Sequence, residues 1–344
     1  MHESALTSVT TPPSEVLVAV ARMYYERAMK QEQIATALGV SRSQVSRYLS
    51  AAHDRGIVQI RVISPAQTDA DLEIALCARF ARLTTAVVVP SLFETGPIVL
   101  SQVAAAGADL LTSMVRPGDT ICVGAGRTLN QLVTSLPSSR RDHVTVVQAM
   151  GNAGHEGHDI DYNAIAIATA AAFGGRTYHV NSPAILGLGY DAERLENSNQ
   201  SIAEALGRAR RADLFVVGIG SLETDTLYLT TGLLSEQDLS DVAALDPAGD
   251  ICGRFYDIKG RELPTPFGPR IVGITLSDLK HSRRVLAVAS GVEKARSIAG
   301  ALAGGYVTHL VTDEAVAKAV LESAPPKRPR STTPPSRRAK ESRP

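Results

Sequence analysis

The segment DTICVGAGRTLNQLV joins a β-branched run to Gly124, Ala125 and Gly126, and then to Arg127 and Thr128 opening an amphipathic helical pattern. Glycines let a ligand approach the backbone, the first N–H groups of a helix attract an anion, and Thr128 and Arg127 add a hydroxyl and a guanidinium. The pattern reads as a phosphate seat in outline or, without a ligand, as a tight strand-to-helix turn. Leu129 stands where the third glycine of a dinucleotide fingerprint belongs, and no acidic ribose partner follows the next strand, which argues against a nicotinamide sensor. The GK[ST] of a P-loop is absent as well.

Two further runs end in the same manner. VVGIGSL offers Gly218, Gly220 and Ser221, and VASGVEKARSIAGAL puts Gly291 at a turn and Lys294 in the first helical turn. A cation there opposes the helix dipole, so an anionic ligand would give its placement a reason. FYDIKG supplies Asp257, a carboxylate suited to sugar hydroxyls or to an ordinary turn. GHEGHDID gathers His155, Glu156, His158, Asp159 and Asp161, but the spacing is HEGH rather than HExxH and no helix is indicated. A polar loop is expected there, with no metal and no cofactor.

A different chemistry is written near the N-terminus. In QEQIATALGVSRSQVSRYLSAA, Ile34, Ala35 and Leu38 pack one helix, Gly39 and Val40 make a turn, and Val45 and Leu49 anchor a second helix. Ala35 leaves room for a steep, close helix crossing. The outward face then carries Ser41, Arg42, Ser43, Gln44, Ser46 and Arg47, a short, polar, cationic set suited to base edges and phosphates in the major groove of duplex DNA. Arg42 and Arg47 could take guanine or phosphate and Gln44 adenine, and the bland alternative is a three-helix packing module with a solvated face.

These residues need elements to hold them. Residues 1–13 form a flexible arm, and residues 14–64 a helix-turn-helix domain whose first helix is expected to be capped by Ser14 and whose third is closed by Gly56. IVQIRVIS follows as the strand of a winged helix-turn-helix or as a linker. Residues 65–323 alternate short β-branched runs with helical stretches: TTAVVVP, DTICVGAG, VTVVQAMG, RTYHV, DLFVVGIG, RIVGITL, RVLAVAS and THLVTD are the expected strands of a Rossmann-like, mostly parallel α/β domain. Residues 324–344 are rich in proline and charge and are expected to be a disordered basic tail.

The 344 residues are 44% hydrophobic and 20% charged, which suits a globular protein and excludes collagen-like or mucin-like chains. Equal totals of 35 basic and 35 acidic side chains conceal a segregation: 7 and 5 in residues 1–64, 21 and 29 in 65–324, and 7 and 1 in the last twenty. Three scattered cysteines, Cys77, Cys122 and Cys252, fit neither a disulfide framework nor a CxxC metal site, so a cytoplasmic setting is expected. No secretory start is evident, and no run approaches the roughly 20 apolar residues that span a bilayer, so no membrane partner is expected.

Residues 14–322 resemble the SorC family of bacterial sugar-responsive transcriptional regulators. The resemblance rests on KQEQIATALGVSRSQVSRYLSAAHDRGIV, VGAGRTL, VVQAMGN, DLFVVGIGSL, GDICGRFYDIKG and VLAVASGVEKARSIAGALAGGYVTHLVTDEAVA, in that order. It implies an effector domain similar to ribose-5-phosphate isomerase and glucosamine-6-phosphate deaminase, a phosphorylated sugar effector, and a homo-oligomer, dimer or tetramer, on double-stranded operator DNA. Carried over, the phosphate positions fall on Gly124, Gly126, Arg127, Thr128 and Lys294, with Asp257 near the sugar. Ala125 departs from the family, where a bulkier residue often precedes the second glycine, and the basic tail lies outside its pattern.

The implied protein is a regulator and not an enzyme. The competing reading is a sugar-phosphate isomerase or deaminase fused to a DNA-binding module. No paired acid/base motif supports it, and no lysine lies between Lys30 and Lys259, which restricts Schiff-base chemistry in the body to Lys259, Lys280, Lys294 and Lys318.

Overall fold

The computed structural model describes residues 12–58, 68–90, 96–153, 161–222 and 232–323. The chain divides into two compact units, Met1–Ser64 and Pro65–Pro344. In the first, α1 (Ser14–Ala21) runs on into a π-helical turn, Arg22–Glu26, and is followed by α2 (Gln31–Leu38) and α3 (Arg42–Asp54). Val20, Ile34, Ala35, Val45 and Leu49 form one small core, and Leu17, Ala21 and Ala52 a second. Gly39 ends α2 in the left-handed conformation, so the chain reverses at once into Ser41, whose hydroxyl accepts the Gln44 N–H at 3.2 Å and caps α3. Ser14 is not a cap: Pro13 takes that position, offering its carbonyl to Val16 and Leu17 but no side-chain acceptor. The strand or wing expected in IVQIRVIS falls largely outside the described residues.

The second unit is an α/β layer structure. Its elements run α4 (Ala70–Arg79), β1 (Thr85–Val89), α5 (Gly96–Met114), β2 (Thr120–Val123), α6 (Arg127–Thr134), β3 (Thr145–Gln148), α7 (Tyr162–Phe173) and β4 (Arg176–Tyr178). Then come α8 (Ala192–Ser198), α9 (Gln200–Arg210), β5 (Leu214–Val217), α10 (Glu236–Ala243), β6 (Gly249–Ile251), β7 (Arg254–Tyr256), α11 (Leu276–His281), β8 (Val285–Val288), α12 (Ala295–Gly304), β9 (His309–Asp313) and α13 (Glu314–Ser323). Seven strands form one parallel sheet in the order β1-β9-β8-β5-β2-β3-β4, and β6 and β7 pair as a separate antiparallel hairpin.

The inner strands β2, β3, β5, β8 and β9 are buried on both faces, which is why they read as continuous apolar runs. Cys122, Phe215 and Val217 point into a core shared with Leu76, Ala209, Ile298 and Val320. Ile121, Leu214 and Val216 point into the opposite core with Leu111, Leu129, Leu132, Ile165 and Phe173. The nineteen-residue α5 is apolar and long enough to cross a membrane by length and composition alone, an outcome the sequence reading did not anticipate. Its Val103, Ala104, Ala108 and Leu111 are buried in this second core.

RIVGITL differs from expectation. It forms no strand, only isolated bridges from Ile271 to Ile185 and from Gly273 to Met150. It patches the sheet's end instead of joining it. The β6–β7 hairpin is the converse, a pair of strands that the apolar text around FYDIKG concealed.

Gly260 lies in the turn after β7 with φ +70°, and a β-carbon there would overlap the backbone of Gly304 on α12. Gly260→Ala therefore combines left-handed strain with a backbone collision, and is expected to cost about 2–4 kcal/mol. Urea unfolding of the variant should show a lower midpoint at an unchanged slope.

Candidate functional site

The winding of the sheet reverses between β2 and β5. From β2 the chain moves outward through β3 to β4, returns to lay β5 on the other side of β2, and continues away through β8 and β9. Open α/β sheets place ligands beyond the carboxyl ends of the strands at such a point. Here the ends of β8, β5 and β2 lie side by side and deliver Lys294, Gly218–Gly220 and Gly126–Thr128 to one cleft of about 60 Å³.

Each wall has a local cause. Gly126 takes φ 142° and ψ 166°, a conformation essentially confined to glycine, and this sharp departure from β2 starts α6 immediately. Leu129 and Leu132 bury the inner face of α6, which leaves its first turn, with Arg127 exposed and Thr128 buried, at the cleft. The helix start supplies N–H groups and a positive dipole end to that space. From the β8 side, a short 3₁₀ turn, Val292–Lys294, carries Lys294 to the N-terminal end of α12.

The floor comes from a segment distant in sequence. Gly220 and Asp250 exchange backbone hydrogen bonds, Gly220 N–H to Asp250 O at 3.0 Å and Asp250 N–H to Gly220 O at 3.2 Å. Asp250, only 4% exposed, accepts the Gly253 N–H at 3.0 Å through Oδ2. Cys252 and Gly253 form the two-residue turn of the β6–β7 hairpin with φ +52° and +77°, and both line the cleft. Burial pushes the Cys252 thiol up to about 12, with the Asp250 carboxylate acting in the same direction. It is an uncharged wall at neutral pH.

Behind the cleft, the buried Gln148 amide binds three loops together. Its Nε2 donates to Asn152 Oδ1 at 2.9 Å and Asn163 Oδ1 at 3.0 Å, while its Oε1 accepts the Val180 N–H at 2.7 Å. That bonding fixes Met150 and the start of α7, including Tyr162, both of which face the cleft.

Gly126, Arg127, Thr128, Gly218, Gly220 and Lys294 are thus brought together. Gly124 lies just below, donating its N–H to Val216 O at 2.8 Å, and Ser221 is buried; neither lines the cleft. Asp257 is elsewhere. Its carboxylate accepts the N–H groups of Lys259 (3.0 Å) and Arg261 (2.8 Å) and pairs with the Arg261 guanidinium at 2.6 Å, so it holds a turn. The sequence reading missed Asp250, Cys252, Met150 and Tyr162. Only Asp250 left a signal, as a carboxylate inside an apolar strand between Gly249 and Ile251.

His155, Glu156, His158 and Asp159 lie outside the described residues, and Asp161 caps α7 by accepting the Asn163 N–H at 2.8 Å. Among the described residues no three His, Cys, Asp or Glu side chains gather as a metal site. Among the described residues, the cleft lining holds one buried carboxylate, Asp250, and two cations, Arg127 and Lys294. That set suits holding an anion with hydroxyl groups attached.

On the first unit, α3 presents Ser41, Arg42, Ser43, Ser46 and Arg47 to solvent. Gln44 is half-buried and donates to Tyr48 Oη at 2.9 Å, and Arg42 pairs with Glu32 at 3.1 Å. Ser41 and Ser43 share a hydroxyl–hydroxyl hydrogen bond at 2.9 Å, so four of the six candidate reading residues already have protein partners.

Comparison with known proteins came out consistently. Residues 64–322 match the family described as "Putative sugar-binding domain". The sorbitol operon regulator of Klebsiella pneumoniae is 31% identical over 312 residues, 89% of this chain and 98% of its own. The crystal structure of the full-length sorbitol operon regulator SorC from that organism matches with a TM-score of 0.68 at 30% identity, covering 91% of this chain and 100% of that one. The deoxyribonucleoside regulator of Bacillus subtilis (strain 168) is 29% identical over 308 residues, 89% of this chain and 97% of its own.

The geometry of Asp257 yields a pH-dependent test. Burial would raise its carboxyl, but the Arg261 N–H and guanidinium, with the Lys259 N–H, outweigh that and hold it below the ordinary carboxylate value. The stability it contributes is therefore present above about pH 4 and is lost as the pH falls through the lower folded value. Asp257→Asn is expected to lower the melting temperature at pH 7 by a few degrees, for about 1 kcal/mol. The difference from wild type should shrink on acidification, as followed by circular dichroism.

Proposed function

This chain belongs to the SorC family of sugar-binding transcriptional regulators, and from that premise we propose that it binds operator DNA through α3 and that a phosphorylated sugar in the switch-point cleft controls that binding. The observation that carries the reading is the convergence of Arg127, Thr128 and the start of α6 with Lys294 on one cleft, a cationic, donor-rich seat for a dianion. Asp250, at the floor, is the carboxylate placed to accept sugar hydroxyls.

A ligand that prefers one arrangement shifts the population toward it, and operator DNA must alter effector affinity by the same factor that effector alters operator affinity.

In the reading unit, α2, the Gly39 turn and α3 form the helix-turn-helix, with Ser43, Ser46 and Arg47 the exposed candidates for groove contacts. Arg42, paired with Glu32, is suited to a phosphate at the groove edge. An excess of only two basic side chains in residues 1–64 makes few phosphate contacts, so useful affinity requires a homo-oligomer presenting paired readers.

Screening phosphorylated sugars by thermal shift should identify a ligand that raises the melting temperature, since binding only to the folded form stabilises it. Arg127→Ala and Lys294→Ala are each expected to weaken that ligand at least tenfold while leaving operator affinity in its absence unchanged. Unaltered ligand affinity in both variants would remove the seat assigned here. Arg47→Ala should cost about 1–3 kcal/mol of operator binding in a gel-shift titration, with the oligomer's mass unchanged.

A further inference from the structure

A second cleft lies in the second unit, about 900 Å³ in volume, between α8, α9 and the segment that runs from β7 to α11. It shares no lining residue with the switch-point cleft, and its size is that of a metabolite site. Its lining carries charges of both signs: the carboxylates of Asp191, Glu193, Glu196 and Glu262 and the guanidinium groups of Arg210 and Arg254. Three of these groups are already engaged. Arg210 donates through both terminal nitrogens to Glu196, at 2.6 and 2.7 Å, and Asp191 caps α8 by accepting the Arg194 N–H at 3.0 Å.

Arg254 is different. Its side chain is 17% exposed, and its Nη1 stands 4.0 Å from Glu262 Oε1, too far for a hydrogen bond. Nη1 donates to Gly268 O at 3.1 Å and Nη2 reaches Ile271 O at 3.5 Å, while Nε is buried with no partner. A guanidinium has five donors, and two backbone carbonyls neither use them all nor cancel the charge. Arg254 and Glu262 are thus an opened ion pair, each member with bonding capacity left toward the cleft.

We propose that this cleft is a binding site for a free α-amino acid, whose carboxylate engages Arg254 and whose ammonium engages Glu262. The two charged groups of such a ligand sit on one carbon, about 3 Å apart, which matches a guanidinium and a carboxylate held 4.0 Å apart on one cleft. Charge-assisted bonds at both ends are stronger than the neutral contacts Arg254 now makes. The whole lining decides between ligand classes. Four carboxylates against two guanidinium groups leave it acidic, which disfavours a bare anion such as phosphate and calls for an ammonium beside the carboxylate. A bare amine would leave Arg254 unanswered. Leu206, Leu263 and Val272 are apolar lining for the ligand's side chain. The proposal takes nothing from the sugar-phosphate reading.

The test is isothermal titration calorimetry of the full chain with each common L-amino acid, with the deaminated and decarboxylated analogues of any that binds, and with inorganic phosphate. At least one amino acid is expected to bind with a Kd at or below about 1 mM, and at least tenfold more tightly than either analogue. Glu262→Gln and Arg254→Gln are each expected to weaken it at least tenfold, and Glu262→Gln to do so at an unchanged melting temperature. If Arg254→Gln fails to fold, Glu262→Gln decides alone. Arg127→Ala should leave amino-acid affinity as it is. No amino acid binding at that level, an analogue binding equally well, or unaltered affinity in Glu262→Gln would each overturn the proposal. Loss of binding in Arg127→Ala would move the ligand to the switch-point cleft, and phosphate binding that only Arg254→Gln weakens would make the second cleft an anion site; both outcomes also overturn it. A sugar-phosphate screen that finds nothing leaves these results intact, so the two readings fail separately.

Discussion

An all-parallel sheet puts every strand's carboxyl end, and every following helix's amino end, on the same edge. In this chain that constraint does more than any single contact. The ends of β2, β5 and β8 are neighbours, so a helix start, two glycine-bearing turns and a lysine occupy one small volume without any of them being adjacent in sequence. The first-turn N–H groups of α6 have no partner inside their own helix, and the cations Arg127 and Lys294 are placed on the same side.

The electrostatics of that edge are balanced against what lies under it. Asp250 keeps a carboxylate in the floor by accepting the Gly253 N–H, and the hairpin turn that supplies this donor places Cys252, a non-glycine residue, in the left-handed region. Strain of this kind persists where surrounding structure over-determines it, and it is found disproportionately at binding sites. The hairpin is held in place by the exchange of hydrogen bonds between Gly220 and Asp250, which ties it to the end of β5, the strand at the reversal of winding.

Segregation of charge gives the two units different tasks. The first has a small positive excess and a reading face partly engaged in its own contacts, Arg42 with Glu32 and Gln44 with Tyr48. The second is acidic overall yet gathers cations at one cleft. Local concentration, not net charge, decides what each surface attracts.

Sequence by itself determined most of the elements, though not the β6–β7 hairpin, and it wrote RIVGITL as a strand. Continuous β-branched runs specified strands buried on two faces, the apolar spacing of α6 specified which residues turn inward, and GAGRT specified a sharp turn into a helix, because each depends on neighbours a few residues apart. Strand order belonged to tertiary structure alone, since the neighbours β2 and β5 are 93 residues apart and β5 and β8 are 70 apart; hence Asp250 entered the cleft while Asp257, seven residues further on, was taken up by the Arg261 turn. RIVGITL shows the same limit: its composition suits a strand, but it meets Ile185 and Met150 only through isolated bridges and takes no place in the seven-stranded order. Local pattern is written in the chain, whereas proximity is created only when the layers close.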